Sequence, residues 1–161
     1  MRFRLLLPVV LVGLLLRGAP LFCQQLTVQS EGGKQIVFTR AEIEALPHTK
    51  LTASVAGAPT TFEGVLLNAV LGKAGVGLGE SLKGKRLASC LLVEAADGYR
   101  VVIALPELDP AFTDKQILLA YLKDGKPLDE KERPYRIVIP DEKRMARWVR
   151  QVTTLKIVDV Q

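Results

Sequence analysis

The sequence predicts an α+β domain that is mostly β-strand, with a few short helices. Three observations carry that prediction. Short apolar runs with two-residue alternation recur along the chain, as in "KLTASV" and "TLKIVDV". Turn signals such as "ADG" and "KDG" sit between pairs of such runs. No regular strand–helix–strand alternation is present that would build a parallel sheet.

Taken in order, "QLTVQS" and "KQIVFT" read as two strands around the turn "EGG". Thr39 then opens a short helix. In "TRAE" a threonine precedes a glutamate by three residues, the signature of a capping box, and Pro47 stops the helix. "KLTASV" is a half-buried strand and "GAP" turns the chain. In "GVLLNAVLGKAGV" the residues Val65, Leu66, Val70, Leu71 and Ala74 fall near helical spacing, with Gly75 as the C-terminal cap. "GLGESLKGK" lacks the Gly-Lys-Ser/Thr ending of a phosphate loop and reads as a solvated connection. "RLASCLLVEAADGYRVVIAL" is a hairpin turning at "ADG", and "PELD" is a helical turn. "KQILLAYLKDGKPL" is a strand and a second "DG" turn. "YRIVIP" is a buried strand ended by Pro140, "DEKRMARWVRQV" a basic loop or short helix, and "TLKIVDV" the closing strand.

The 161 residues suffice for one domain with a real core. The start reads as something else. "MRFR" carries two arginines, Leu5 to Leu16 is a continuous apolar run too short to anchor in a bilayer, and "CQQ" is a polar exit. That pattern is a secretory signal peptide over residues 1–23, cleaved after Cys23, with the domain at 26–161. An uncleaved N-terminal anchor is the alternative. The expected location is periplasmic or secreted, with no stable membrane span after cleavage. Subtracting Arg2, Arg4 and Arg17 from the net charge of +5 leaves +2, an ordinary surface that gives no reason to expect a nucleic-acid partner. Cleavage also leaves Cys90 as the lone cysteine, so stability comes from the core and not from a disulfide.

Few residues could carry chemistry. A zinc site or a serine triad would depend on His48, the single histidine, which follows Pro47 and reads as a surface residue. Cys90 lies in the apolar run "LASCLLVEA" and reads as a buried packing residue. Tyr99 and Arg100 leave the "DG" turn on opposite faces, so one is expected inward and the other toward solvent or a ligand. Arg136, Lys143, Arg144 and Arg147 surround a strand end beside Trp148. They are either an anion site, with arginine on a phosphate or carboxylate, or a solvated basic edge over a core tryptophan.

In order and spacing, "TRAEIEALP", "FEGVLLNAVLGKAGV", "EAADGYRVVIALPELD", "ILLAYLKDGKPL" and "RPYRIVIPDEKRMARWVRQV" resemble the molybdopterin-binding domain of the sulfite oxidase family, and most closely its small exported members. The resemblance covers nearly all of the chain after Gln25. It implies a molybdopterin-type cofactor and an oxidoreductase ancestry. In that family a cysteine thiolate just before the segment matched by "FEGVLL" holds the metal. Here "LTASVAGAPTT" stands in that place without a cysteine, so no protein-ligated metal and no catalytic residue are expected. Arg136, Arg144 and Arg147 match the family's basic strand end, and with Tyr99 and Arg100 they form the expected cofactor-binding set. The pocket is expected where "SVAGAPTTFEG", "DGYR" and the segment after Pro140 converge. Two function classes follow: an exported redox-family protein that binds a pterin or other anionic ligand, and a non-catalytic binding module that kept the fold only.

Overall fold

The computed structural model describes residues 24–140 and 142–159. The expected signal peptide lies outside these residues. Ten strands and two short helices follow in order. They are β1 (Leu26–Gln29), β2 (Gln35–Phe38), α1 (Arg40–Glu44), β3 (His48–Val55), β4 (Ala58–Leu66), α2 (Leu67–Lys73), β5 (Cys90–Ala95), β6 (Arg100–Ala104), β7 (Leu118–Lys123), β8 (Lys126–Pro127), β9 (Arg136–Val138) and β10 (Val152–Val158).

Two sheets result. The first runs β2-β1-β10-β5-β6, and its one parallel pairing joins β1 to the closing strand β10. The second runs β3-β4-β7-β8, with β9 also paired to β7. Alternation sorts the side chains: along β5, Leu91, Val93 and Ala95 are buried while Cys90, Leu92 and Glu94 are half-buried. One hydrophobic cluster takes Leu91, Val93, Ile103 and Leu155 from the first sheet, Phe62, Leu118, Leu119 and Ile137 from the second, and Val70 and Leu71 from α2. Each such side chain contributes about 1.5–3 kcal/mol by leaving water.

Local chemistry sets the element ends. Thr39 N donates to Glu42 Oε2 at 2.8 Å and Thr39 Oγ1 accepts from Glu42 N at 3.3 Å, so the capping box forms as its sequence implies. The α2 helix ends in a Schellman arrangement: Val76 N donates to Leu71 O, Gly75 N donates to Gly72 O, and Gly75 takes φ +76°. Two turns, at "ADG" and "KDG", match their signals. Ala56-Gly57 and Asp124-Gly125 each join two strands as two-residue loops with positive φ throughout. The loop Ala96–Asp97–Gly98 joins β5 to β6, and Asp97 Oδ1 accepts from Tyr99 N at 2.9 Å.

Three expectations are corrected. Val65 and Leu66 do not begin the helix but end β4. That strand pairs on both sides, with β3 and β7, and the ladder hydrogen bonds outweigh the helical spacing of these two side chains. Ala58 and Pro59 likewise belong to β4 and not to the turn. Cys90 is half-buried, because the register of β5 gives the inward face to Leu91 and Val93.

Candidate functional site

The loop after β6's partner strand and the basic segment before β10 meet over Trp148. Tyr99 leaves its turn 49% exposed, and its hydroxyl donates to Ala146 O at 2.8 Å. That bond ties the "DGY" turn to the short 3-10 turn Met145–Arg147. Between them lies a cleft of about 230 Å³, lined by Asp97, Tyr99, Met145, Trp148 and Arg150 among others. Trp148 itself is packed in the core. Its Nε1 donates to Ile139 O at 3.0 Å, and its ring meets Phe62 edge-on at 5.9 Å. The cleft thus has an exposed aromatic ring, the border of a buried one and an exposed cation.

The residues named from the sequence scatter around this cleft. Tyr99 lines it. Arg100 points outward with its side chain 65% exposed and pairs with Glu94 at 3.0 Å, so neither Tyr99 nor Arg100 turns into the core. Arg144 is exposed just before the 3-10 turn and makes no ion pair among the described residues. Arg147 is committed to carboxylates: its two terminal nitrogens donate to Glu107 at 3.2 Å each, and its Nε donates to Glu142 at 2.7 Å. Glu107 also takes Lys115 at 3.0 Å. Burial alone would raise the Glu107 carboxyl, but the hydrogen bonds and charges of Arg147 and Lys115 outweigh it and hold it down at about 2. The hydrogen bonds that Arg147 donates to Glu107 raise the arginine's pKa against the opposing effect of burial.

Arg136 is 7% exposed and ion-paired with Glu132, itself 8% exposed. This is a buried structural pair and not a surface anion contact. Its guanidinium lies 5.4 Å from the ring centres of both Phe62 and Trp148. Burial lowers the Arg136 pKa, Glu132 opposes that, and the neighbouring charge of Arg150 adds to it. The β3–β4 hairpin contributes Phe62 to this packing but no residue to the lining of the cleft, so two of the three expected segments converge and the third does not.

Sequence reasoning passed over Arg150, Met145 and Glu107. The signal for Arg150 is its place two residues after Trp148 in "RWVR", where both residues line the cleft. Glu107 gave no signal, since its partners lie 8 and 40 residues away.

Among the described residues no three His, Cys, Asp or Glu side chains cluster as a metal site. Cys90 pairs in register with Ala104 and Val158 on the first sheet, and burial, then the nearby Asp159 charge, raise its thiol pKa. His48 is exposed and hydrogen-bonded through Nδ1 to the Tyr121 hydroxyl.

The architecture is a two-sheet α+β domain with an aromatic cleft whose charged lining residues are Asp97 and Arg150. Residues 23–161 match the oxidoreductase molybdopterin binding domain, and the chain belongs to that family. Among solved structures it is similar to the sulfane dehydrogenase SoxCD from Paracoccus pantotrophus, with a TM-score of 0.65 and 23% identity over 84% of this chain. That likeness shows the fold. The chain spans 38% of the length of the SoxCD chain it matches. No curated protein matches the chain.

Proposed function

We propose that this domain binds a planar, anionic ligand of the pterin type in the cleft between Tyr99 and Arg150, and holds no metal on a protein side chain. The observation that carries this reading is the juxtaposition of the Tyr99 ring, the Trp148 border and the exposed Arg150 guanidinium around one cleft. A flat ring lies against Tyr99, and a phosphate or carboxylate tail meets Arg150 through charge-assisted hydrogen bonds. Membership of the molybdopterin-binding family supports the same ligand class. When bound, a molybdopterin supplies metal-centred electron or oxygen-atom transfer. The donor set here suits the pterin and its anionic tail and does not suit thiolate ligation, because Cys90 lies outside the cleft lining. At about 230 Å³ the cleft is below the roughly 300–1,000 Å³ of enclosed ligand sites, so it grips one part of such a ligand.

Calorimetric titration with 6-carboxypterin tests the reading. Wild-type protein should bind it saturably, and Arg150→Ala and Tyr99→Ala should each weaken binding about tenfold, equivalent to about 1.4 kcal/mol. Saturable binding that neither substitution changes would place the ligand elsewhere.

A second reading, a binding or interaction module that kept the fold without the chemistry, is favoured by the position of Cys90 outside the cleft. Binding of 6-carboxypterin without sulfite or sulfoxide turnover would support it. The basic head and apolar run of residues 1–23 support export of the mature domain, and Met1 retained in protein from the native envelope would refute that.

A further inference from the structure

The chain has three tyrosines and one tryptophan, the aromatic side chains that give up an electron most readily, and they differ in what can take the accompanying proton. Tyr99 Oη donates to Ala146 O and Trp148 Nε1 donates to Ile139 O, and a backbone carbonyl is no base for that proton. Tyr135 is fully buried, and its Oη has no partner among the described residues. Tyr121 alone is bonded to a base: its Oη lies 2.5 Å from His48 Nδ1.

The two partners stand on one sheet, β7 and the edge strand β3, with β4 between them. Tyr121 Oη has no second partner among the described residues, so its O–H points at Nδ1 and the imidazole proton sits on Nε2. Tyr121 is 3% exposed whereas His48 is exposed, so a proton leaving the ring arrives on a side chain that meets water. Burial, and then the Glu44 charge, raise the Tyr121 phenol above its ordinary value. The ring is therefore a neutral phenol at neutral pH. Taking an electron from it without a proton would leave a buried cation, which is costly.

Neighbouring charges do not choose between the buried tyrosines. The Arg40 guanidinium lies 4.3 Å from the Tyr121 ring centre and 5.6 Å from that of Tyr135, so it opposes electron loss from both. Arg40 is paired with Glu44 at 2.6 Å, and Glu63, whose charge also reaches Tyr121, is paired with Lys50 at 3.1 Å. What distinguishes Tyr121 is its proton acceptor.

We propose that Tyr121 and His48 form a one-electron redox site that is separate from the cleft. A strong one-electron oxidant takes one electron from the Tyr121 ring and is itself reduced by one. The phenolic proton crosses to His48 Nδ1, giving a neutral tyrosyl radical and an imidazolium. When a donor returns the electron, the proton returns from Nδ1 to Oη. An oxidising equivalent that reaches the second sheet thus rests at the end of its edge strand. The site does not depend on the ligand reading given above.

The test uses protein carrying Tyr99→Phe, which removes the exposed phenol, oxidised by photogenerated tris(bipyridine)ruthenium(III). Electron paramagnetic resonance should show a tyrosyl radical that is lost in Tyr121→Phe and kept in Tyr135→Phe. His48→Ala should slow formation of the radical about tenfold or more, and free imidazole should restore the rate in proportion to its concentration. His48 is exposed, so this arm spares the core and decides the matter even where Tyr121→Phe fails to fold. No tyrosyl radical, a radical that survives Tyr121→Phe, or a rate that His48→Ala and imidazole leave unchanged would each overturn the site. None of these outcomes bears on ligand binding in the cleft.

Discussion

Glu107 accepts from two cations at once, Arg147 and Lys115, and so fastens the loop after β6 to the basic segment beside the cleft. Its carboxyl, held at about 2 in the folded chain, titrates near its ordinary value of about 4.5 in the unfolded one. A depressed folded value stabilises above the unfolded pKa, and that stability is lost as pH falls from about 4.5 toward 2. Glu107→Gln should therefore cost on the order of 1–2 kcal/mol at neutral pH, allowing for the screening of a side chain 29% exposed. The difference from wild type should shrink through that acid window, as chemical denaturation at stepped pH would read; a difference independent of pH would argue against the network. Gly64 makes a different demand. A Cβ there would lie 2.1 Å from Leu119 O, a backbone atom of the central strand. Gly64→Ala should cost more than about 3 kcal/mol and lower the melting temperature by several degrees or more. The sequence does not reveal that clash, because "FEG" shows a glycine and not the neighbouring strand that makes it necessary.

The hairpins set the element scale. The β7–β8 turn has Asp124-Gly125, residues suited to positive φ, whereas the β3–β4 turn places Ala56 at φ +51° before Gly57. Ala56→Asn should stabilise by about 0.5–1 kcal/mol, since asparagine tolerates that conformation and alanine does not. A lowered melting temperature would show that Ala56 has a packing role. Strands and turns were readable because their signals are local: the "ADG" loop, the "KDG" turn and the Thr39 capping box all formed where the residues place them. The β4–α2 boundary was not readable. Val65 and Leu66 satisfy helical spacing, yet two partner strands hold them extended. Cys90 failed in a related way, because an apolar run does not say which face of the strand the first residue takes. The thiol pKa, raised by burial and then by the Asp159 charge, leaves little thiolate at neutral pH. Reaction with a thiol reagent should then be slow at pH 7 and accelerate above pH 9.

At the scale of the molecule, the order of segments makes the family legible in the amino-acid sequence alone, because each loose motif keeps its place in one topology. The site was legible only in part. Tyr99 and the segment carrying Arg144, Arg147 and Trp148 come to one region, but long-range ion pairs occupy Arg147, burial withdraws Arg136, and the cation on the cleft is Arg150. The one described cysteine stands on β5, outside the cleft lining. The central claim is a pterin-type ligand held without a protein–metal bond. Its most direct test is the molybdenum-to-protein ratio of the mature domain purified from a host that makes the cofactor, with released pterin measured on the same sample. The account predicts that pterin is retained, and that the pterin and molybdenum content are both unchanged in Cys90→Ser. One molybdenum per chain, lost together with the pterin in Cys90→Ser, would contradict it.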